Sequence, residues 1–438
     1  MARVRTAPFD TGLVIESPHR SLDAHLADVG LTAVRLDKVL DQDTLISAIR
    51  KHDAQVLFKR SRVPVTAELL DACPSLHAVQ LCCIGDDSVD KAACAARGVM
   101  VFNDPVSNAR SVVEMAVGHL IALCRRFYET NDETHVHRWD KSDRGRYEVL
   151  GKRLGVVGLG NIGRQTARAA ESLGMEIWFY DNRFVAQEVG VEMGWKRAGD
   201  LGELFRQSDM VTCHTSAKDA WGNDNDGLLD PYLAQLGLER PDDSPRIFLN
   251  LARGNLFDPE RLRDAVAGGR IRRAAVDVYP DEPRPGEAWT NPYADLPQII
   301  CTPHIGAATE EAQPRIARRV ARTIGAFSRF GSIRDCVFSP RLELSVPQPQ
   351  PGQATLAVVH STAVGTKKAV ADAIYEARVS TLGSAQQDLP LGVAYDLSVL
   401  ERPLTDDELH NLIAIAQRVS GDPHAIRAVR QVVAGWGW

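Results

Sequence analysis

Short apolar segments alternate with amphipathic segments over the first hundred residues of this 438-residue chain. Apolar segments of this length, bounded by polar or glycine positions, are typical of strands, whereas the segments between them suit helices. Strands that alternate with helices build a parallel sheet with helices on its faces. The predicted strands are Leu13–Ile15, Ala33–Leu36, Ala54–Phe58, Ala78–Cys83 and Val99–Phe102.

A second region of the same alternation follows a longer helix, predicted at Arg110–Tyr128 from apolar positions at helical spacing. Between residues 151 and 305 the pattern predicts another parallel sheet, which the polar, turn-rich segment Ser216–Pro245 interrupts with two surface loops and a short helix. The predicted strands are Leu154–Val157, Met175–Tyr180, Met210–Cys213, Ile247–Leu251, Ala274–Val278 and Ile299–Cys301.

The last third of the chain has a different order of predicted elements. A helix at Glu310–Phe330 is followed by the proline-rich stretch Val346–Gly352, which is typical of a linker. The elements after it spell βαββαβ, the order of a small ferredoxin-like module. In chain order they are Thr355–His360, Thr366–Ala377, Val379–Gly383, Gly392–Leu397, Thr405–Arg418 and Ala425–Val429.

Composition and charge limit the partners and the cellular compartment that we expect for this protein. The net charge is −6 and both signs are interspersed, so we expect neither a nucleic acid nor a membrane surface as partner. The eight cysteines form no CxxC pair and several lie in apolar strands, which indicates reduced thiols in a cytoplasmic protein. The first residues lead into no apolar stretch long enough for a signal peptide or a membrane span.

The most specific motif is the glycine turn at residues 158–163, between a predicted strand and a predicted helix. Gly158 permits a tight turn, Gly160 lets the backbone approach a pyrophosphate, and Gly163 lets the helix pack on the strand. The N–H groups at the helix start, which include those of Asn161 and Ile162, would face the phosphates. The turn therefore predicts a dinucleotide-binding site.

An acidic residue in the expected place supports this prediction. Asp181 ends the next predicted strand, about 20 residues further on, where a carboxylate holds the ribose 2′-hydroxyl. A carboxylate also repels the 2′-phosphate of NADP, so NAD is the predicted cofactor. Arg183 lies close enough in sequence to weaken that preference.

Three residues near strand ends could supply the chemistry that accompanies hydride transfer. Arg253 follows one strand and could clamp a carboxylate through two hydrogen bonds. His304 follows another and could accept a hydroxyl proton as hydride leaves. Glu282 could be its partner, because a nearby carboxylate stabilises imidazolium. Each residue alone is more often structural than catalytic.

Taken together, these motifs resemble the D-isomer-specific 2-hydroxyacid dehydrogenases, which carry the glycine turn, an Arg-Gly, a Glu-Pro and a Pro-His in this order. The resemblance covers nearly the whole chain. Within the family the chain is most similar to members that oxidise 3-phospho-D-glycerate and carry an appended C-terminal domain. The local matches are Arg60–Arg62, Cys83–Gly85, Phe102–Asn103, Ser107–Ser111 and Glu171–Met175.

The resemblance implies a role for each candidate residue. Arg253, Glu282 and His304 would be catalytic, and Asp277 would contact the nicotinamide end of NAD. The substrate, a small 2-hydroxy acid, would be lined by Arg60, Ser61, Arg62, Cys83, Gly85 and Asn108. The residues themselves give the arginines independent support, because Arg60 and Arg62 form a basic cluster with Lys59 just after a strand, which suits a phosphate.

The resulting fold class is α/β, with a Rossmann-type NAD-binding domain inserted in a flavodoxin-like substrate domain and a C-terminal ACT-like, ferredoxin-like module. We expect the substrate domain at 1–106 and 307–340, the NAD-binding domain at 107–306, a linker at 341–353 and the module at 354–438. The resemblance also implies two halves that close over a cleft, and a homo-oligomer, either a dimer or a tetramer.

Departures from the family pattern keep other hypotheses open. Asp86 and Asp87 would place carboxylates near an anionic substrate, so an unphosphorylated acid such as 2-hydroxyglutarate or glyoxylate is an alternative. An NAD-sensing corepressor-like binding protein is a second alternative. The turn Ser361–Gly365 lacks the residues usual in amino-acid-binding ACT domains, so the module is either an effector site or a structural, dimerising element. His135 and His137 have no third ligand at metal-site spacing, and we predict no metal.

Overall fold

The chain divides into two compact units in the computed structural model, which describes residues 2–36, 40–218, 223–283, 287–339 and 342–435. One unit is Asn108–Ala312, and the other combines Met1–Ser107 with Gln313–Trp438. Residues 219–222 of the predicted loop segment, residues 340 and 341 at the predicted linker boundary, and residues 436–438 of the predicted module lie outside the described residues.

The N-terminal part of the two-segment unit is a five-stranded parallel sheet with the order β3-β2-β4-β5-β6. Counted from β2, this order is 2-1-3-4-5, so the flavodoxin-like prediction is confirmed. The elements are β1 (Arg3–Arg5), β2 (Thr11–Ile15), α1 (Ser21–Asp28), β3 (Thr32–Leu36), α2 (Gln42–Lys51), β4 (Val56–Lys59), α3 (Ala67–Ala72), β5 (Ala78–Leu81), α4 (Lys91–Ala96) and β6 (Met100–Phe102).

The other unit is a doubly wound parallel sheet with the order β13-β12-β11-β10-β7-β8-β9. The order reverses between β7 and β10, as the Rossmann prediction requires. The elements are α5 (Ala109–Arg125), α6 (Phe127–His135), β7 (Arg153–Val157), α7 (Asn161–Ser172), β8 (Glu176–Tyr180), α8 (Phe184–Glu192), β9 (Lys196–Arg197), α9 (Leu201–Gln207), β10 (Met210–Cys213), β11 (Ile247–Asn250), α10 (Pro259–Ala267), β12 (Arg273–Val276) and β13 (Ile299–Cys301).

The single helix predicted at Arg110–Tyr128 is wrong, because the chain forms two helices there. Arg126 has a φ of 57°, a left-handed conformation that ends α5 and redirects the chain into α6. Its side chain donates to the Glu129 carboxylate at 2.7 Å. The apolar periodicity carries no signal for this break, since a single left-handed residue does not change it.

The C-terminal part shows the predicted βαββαβ order. It follows a long helix and a short two-stranded ribbon. The elements are α11 (Ala312–Phe330), β14 (Ile333–Arg334), β15 (Glu343–Leu344), β16 (Ala354–Ser361), α12 (Thr366–Glu376), β17 (Thr381–Leu389), β18 (Val393–Leu400), α13 (Asp406–Ser420) and β19 (Ile426–Val433). The sheet order is β1-β19-β16-β18-β17, so a strand from the start of the chain completes it.

Two strands of this sheet differ from the prediction. The strand predicted at Val379–Gly383 runs instead from Thr381 to Leu389, through the polar stretch Ser384–Asp388. β17 lies at the sheet edge and most of its side chains are at least partly exposed, so backbone pairing with β18 forms it without an apolar signal. The sequence also did not predict β1, because this strand is only three residues long. It pairs in parallel with β19.

The C-terminal sheet and the N-terminal sheet share one hydrophobic core. The guanidinium of Arg430 is buried in this junction against the rings of Phe9 and Phe327, at 4.4 and 4.1 Å from their centroids. It also donates to the carbonyls of Phe327 and Ser328. Burial lowers the pKa of Arg430 to about 10. The junction therefore contains a cation held by aromatic faces and backbone carbonyls.

We expect Arg430→Ala to destabilise the two-segment unit. The substitution leaves a cavity beside the two rings and removes the donor to two buried carbonyls, which should lower the free energy of unfolding by about 2–4 kcal/mol. Chemical denaturation measures this loss, and Arg418→Ala on the exposed side of α13 is the control. Equal unfolding midpoints for Arg430→Ala and the wild type would show that the junction does not depend on this cation.

Candidate active site

The glycine turn adopts the geometry that its sequence predicts. Gly158 has a φ of 86°, and a Cβ there would lie 2.9 Å from the His214 carbonyl oxygen. A Cβ on Gly163 would overlap the Gly158 carbonyl, so helix α7 can approach strand β7 only because that position is glycine. At Gly160 the nearest atom to such a Cβ is an Arg183 nitrogen at 3.9 Å. The backbone there is open to a ligand.

Helix α7 begins directly after this turn, with Gly160 as its N-cap residue. The first N–H groups of a helix have no intrahelical acceptor, and the helix dipole favours an anion beside them. Asn161 and Ile162, both predicted cofactor residues, occupy this first turn. The turn lies after β7, next to β10, where the strand order reverses. These residues fit the pyrophosphate of a dinucleotide.

Asp181, the predicted ribose ligand, follows β8 and is 5% exposed. Its carboxylate accepts a bond from the Leu159 N–H at 2.7 Å, which ties it to the glycine turn. Arg183 donates to both of its oxygens, at 2.9 and 2.7 Å. Burial would raise the pKa of Asp181, but the hydrogen bonds from Arg183 and Leu159 outweigh burial and lower it. Arg183 is thus the ion-pair partner of Asp181.

The three catalytic candidates lie in the loops that follow β11, β12 and β13, which are neighbours in the sheet. His304 Nδ1 donates to Glu282 Oε2 at 2.7 Å. About half of the His304 side chain is exposed, so the ring is accessible. Burial would raise the pKa of Glu282, but the hydrogen bond and charge of His304, the Tyr279 N–H and the charge of Arg253 together outweigh burial and lower it. The structure therefore brings an ionised carboxylate and an accessible imidazole together.

Arg253 acts on the same carboxylate, since its charge contributes to the lowered pKa of Glu282. Its backbone carbonyl accepts a bond from the Asn250 side chain at 2.8 Å. The next residue, Gly254, packs so closely against Tyr279 that a Cβ would overlap the Tyr279 backbone. Arg253 and Gly254 thus fix how closely the loop after β11 approaches the loop after β12.

Asp277 holds the loop that carries His304. It is 1% exposed, and its carboxylate accepts bonds from Thr302 Oγ1 at 2.6 Å, from the Ile305 N–H at 2.9 Å and from the Gly306 N–H at 2.8 Å. These donors flank His304, whose φ of 54° is left-handed. The sequence prediction gave Asp277 a cofactor contact and missed this positioning role. The only sequence signal was a carboxylate at the end of a buried strand.

The predicted substrate segments of the other unit lie after β4 and β5, which are adjacent parallel strands. Arg60 is half-buried, whereas Ser61 and Arg62 are exposed. Cys83 Sγ donates to the Gly85 carbonyl at 3.3 Å, which closes a tight turn. The carboxyl ends of β4 and β5 therefore bring the two segments to one edge of the sheet.

Asn108, the remaining substrate candidate, belongs to the Asn108–Ala312 unit, where it precedes α5. It is 5% exposed, and its Oδ1 has no hydrogen-bond partner among the described residues. A buried acceptor of this kind can take a donor from a ligand.

Asp86 is compensated by a neighbouring cation. Its carboxylate pairs with Lys91 Nζ at 3.1 Å. The sequence suggested that Asp86 and Asp87 would place two carboxylates near an anionic substrate, and the ion pair reduces the repulsion from Asp86.

The described residues contain no group of histidine, cysteine and carboxylate side chains arranged to hold a metal ion. None of the eight cysteines, all of which the structure describes, forms a disulfide. No helix in the described part of the chain is long and apolar enough to cross a bilayer.

Known proteins place this site in a family. Residues 117–306 match the D-isomer specific 2-hydroxyacid dehydrogenase NAD binding domain. The chain is 35% identical over 382 residues to D-3-phosphoglycerate dehydrogenase of Haemophilus influenzae, covering 86% of this chain and 88% of that protein. It is 34% identical over 365 residues to D-3-phosphoglycerate dehydrogenase of Escherichia coli K12, covering 82% of this chain and 83% of that protein.

A solved structure shows the same fold. The chain from work on the pyruvate reductase of Chlamydomonas reinhardtii superposes with a TM-score of 0.59 at 25% identity, covering 74% of this chain and 97% of that one. About a quarter of the present chain thus has no counterpart in that structure.

The fold and the site define an NAD-dependent dehydrogenase. More specifically, the chain belongs to the D-isomer-specific 2-hydroxyacid dehydrogenases, as the 35% identity over most of its length shows. The predicted family and the predicted cofactor, NAD, are both confirmed.

We expect Gly163→Ala to weaken NADH binding at least about tenfold, because the new methyl group must displace the Gly158 carbonyl and open the turn. Fluorescence titration with NADH measures the affinity. Gly118→Ala is the matched control, since this glycine lies inside α5 and a Cβ there meets no atom within 4 Å. If both variants bind NADH like the wild type, the turn does not hold the pyrophosphate.

Proposed function

We propose that this protein oxidises 3-phospho-D-glycerate to 3-phosphohydroxypyruvate with NAD, the first committed step towards serine. The observation that carries the proposal is the hydrogen bond of 2.7 Å between His304 and Glu282. This pair lies at the strand ends of an NAD-binding domain, and the positive charge of Arg253 acts on Glu282. The names of the relatives that align over most of the chain, D-3-phosphoglycerate dehydrogenases, support the choice of substrate.

His304 is the proposed acid–base group. Its Nδ1 is bonded to Glu282, so Nε2 is the atom left for the substrate hydroxyl. Bound NAD supplies the hydride acceptor, and His304 takes the hydroxyl proton. Glu282, whose pKa lies below its usual value, is ionised at neutral pH and stabilises the imidazolium that results. In the reverse direction the same imidazolium returns the proton.

Arg253 is the proposed clamp for the substrate carboxylate and the carbonyl that forms. A guanidinium presents two parallel N–H groups to a carboxylate and keeps its charge at any physiological pH. Arg60 or Arg62 is the proposed phosphate ligand, and Ser61, Cys83, Gly85 and Asn108 complete the proposed substrate contacts. The Asp86–Lys91 ion pair supports a phosphorylated substrate over 2-hydroxyglutarate or glyoxylate, because it reduces the repulsion from Asp86, one of the two carboxylates that favoured those acids.

We expect His304→Ala to lower kcat by about two to four orders of magnitude, since no other group replaces the acid–base function. NADH affinity should stay near the wild-type value, which a fluorescence titration checks. His135→Ala, a change at an exposed histidine of the same unit, is the control and should leave kcat unchanged. Near-wild-type turnover of His304→Ala would rule out the proposed mechanism.

Initial rates with a panel of acids test the substrate. We expect the highest kcat/KM with 3-phospho-D-glycerate and lower values with 2-hydroxyglutarate, lactate and, in the reductive direction, glyoxylate. No turnover of any acid despite tight NADH binding would favour the corepressor-like alternative. The same assay with added serine tests whether the C-terminal module is an effector site.

We also propose that the protein is a cytoplasmic homo-oligomer. Four large apolar side chains are exposed within a short stretch of the Asn108–Ala312 unit, which is typical of a protein–protein interface. They are Phe127 at 51%, Val136 at 60%, Trp139 at 82% and Leu150 at 65%. Eight cysteines that form no disulfide suit a reducing compartment.

We expect Trp139→Glu to reduce the oligomer mass, because a buried carboxylate without a partner opposes association. Light scattering coupled to size exclusion measures the mass. Phe184→Glu is the control, since Phe184 is 71% exposed on α8 of the same unit, outside that stretch. Unchanged mass for Trp139→Glu would remove this surface from the interface.

A further inference from the structure

A buried carboxylate organises the loop that carries the proposed phosphate ligands. Glu16 directly follows β2 and is 8% exposed. Its Oε2 accepts a bond from the Arg60 N–H at 2.6 Å, and its Oε1 accepts bonds from the Arg62 N–H at 3.0 Å and from the Val63 N–H. One side chain thus fixes three backbone groups of the loop after β4.

A cation, Lys59, also holds this loop. This side chain is fully buried, and its Nζ donates to the Arg60 carbonyl and to Ser88 Oγ, both at 2.7 Å. Burial lowers the pKa of Lys59, and the charge of Glu16 opposes that shift. Arg60 is therefore fixed at both its N–H and its C=O, and the loop is joined to the segment that follows β5.

The chain adopts strained conformations to place this carboxylate. Glu16 has a φ of 63° and Ser17 a φ of 52°, both in the left-handed region. Non-glycine residues in this region are strained and persist where the surroundings fix them, often at ligand sites. A buried carboxylate near a site for an anion would also repel the ligand, unless its charge is compensated. Lys59 and the three N–H donors supply that compensation.

We propose that Glu16, together with Lys59, is a positioning residue for the substrate phosphate. It fixes the backbone of residues 60–63 so that the side chains of Arg60, Ser61 and Arg62 are presented in one arrangement. Its own oxygens are bonded to backbone N–H groups, so it acts through the loop without touching substrate. This inference rests on the proposed function, because it takes the loop as the phosphate site.

The test compares Glu16→Ala and Glu16→Gln in steady-state kinetics with 3-phospho-D-glycerate and NAD. We expect Glu16→Ala to raise the KM for 3-phospho-D-glycerate at least about tenfold, because three charge-assisted bonds that order the loop are lost. The kcat and the KM for NAD should change less than about threefold, since the acid–base pair lies in the other unit. Glu16→Gln keeps one acceptor oxygen and should raise the KM less.

Gln55→Ala is the matched control for a purely structural effect. Gln55 is 1% exposed in the same sheet, and its Oε1 accepts bonds from the Asp10 and Thr11 N–H groups at 3.1 and 3.0 Å. It precedes β4, however, and so lies at the amino edge of the sheet, away from the loop that Glu16 holds. This variant should lose stability and keep the wild-type KM for 3-phospho-D-glycerate.

The outcomes separate this inference from the proposed function. If the wild type does not prefer 3-phospho-D-glycerate among the acids, the proposed function fails and Glu16 has no phosphate to position. If the wild type shows that preference but both Glu16 variants keep its KM, the inference is overturned. It is also overturned if Gln55→Ala raises the KM as much as Glu16→Ala. Where Glu16→Ala does not fold, Glu16→Gln decides between these outcomes.

Discussion

Buried carboxylates at the ends of parallel strands hold the loops on which the rest of this structure depends. Glu16 follows β2, Asp181 follows β8 and Asp277 follows β12, and each accepts backbone N–H groups of a neighbouring loop. An ionised acceptor makes such bonds shorter and stronger than neutral ones, and a buried charge is stable only when its lone pairs are used. The same device therefore organises the loop that carries Arg60 and Arg62, the glycine turn and the loop that carries His304.

This device explains how loops with unusual backbone conformations stay ordered. His304 and Glu16 both have positive φ values, and both lie in or beside a network of bonds to a buried carboxylate. The strain is local, whereas the bonds that offset it come from a strand end fixed by the sheet. The proposed chemistry needs a guanidinium, an imidazole and a carboxylate in fixed places, and rigid strand ends provide them.

The C-terminal module is integrated into the unit that carries the flavodoxin-like sheet. Strand β1 completes its sheet, and the Arg430 guanidinium packs against the rings of Phe9, which lies between β1 and β2, and of Phe327 in α11. The solved structure of the Chlamydomonas chain covers only 74% of the present chain. The C-terminal module also shares a core with the flavodoxin-like sheet.

The sequence determined the two parallel sheets, the βαββαβ order, the glycine turn and the candidates Arg253, Glu282 and His304, because these features are local patterns of apolar positions and of residues at strand ends. It could not determine the break at Arg126, the length of β17 or the pairing of β1, since these depend on one backbone angle or on hydrogen bonds between distant strands. Only the tertiary structure decided that Glu282 bonds His304 and that Asp277 and Glu16 hold loops, because such contacts join residues tens of positions apart through a sheet.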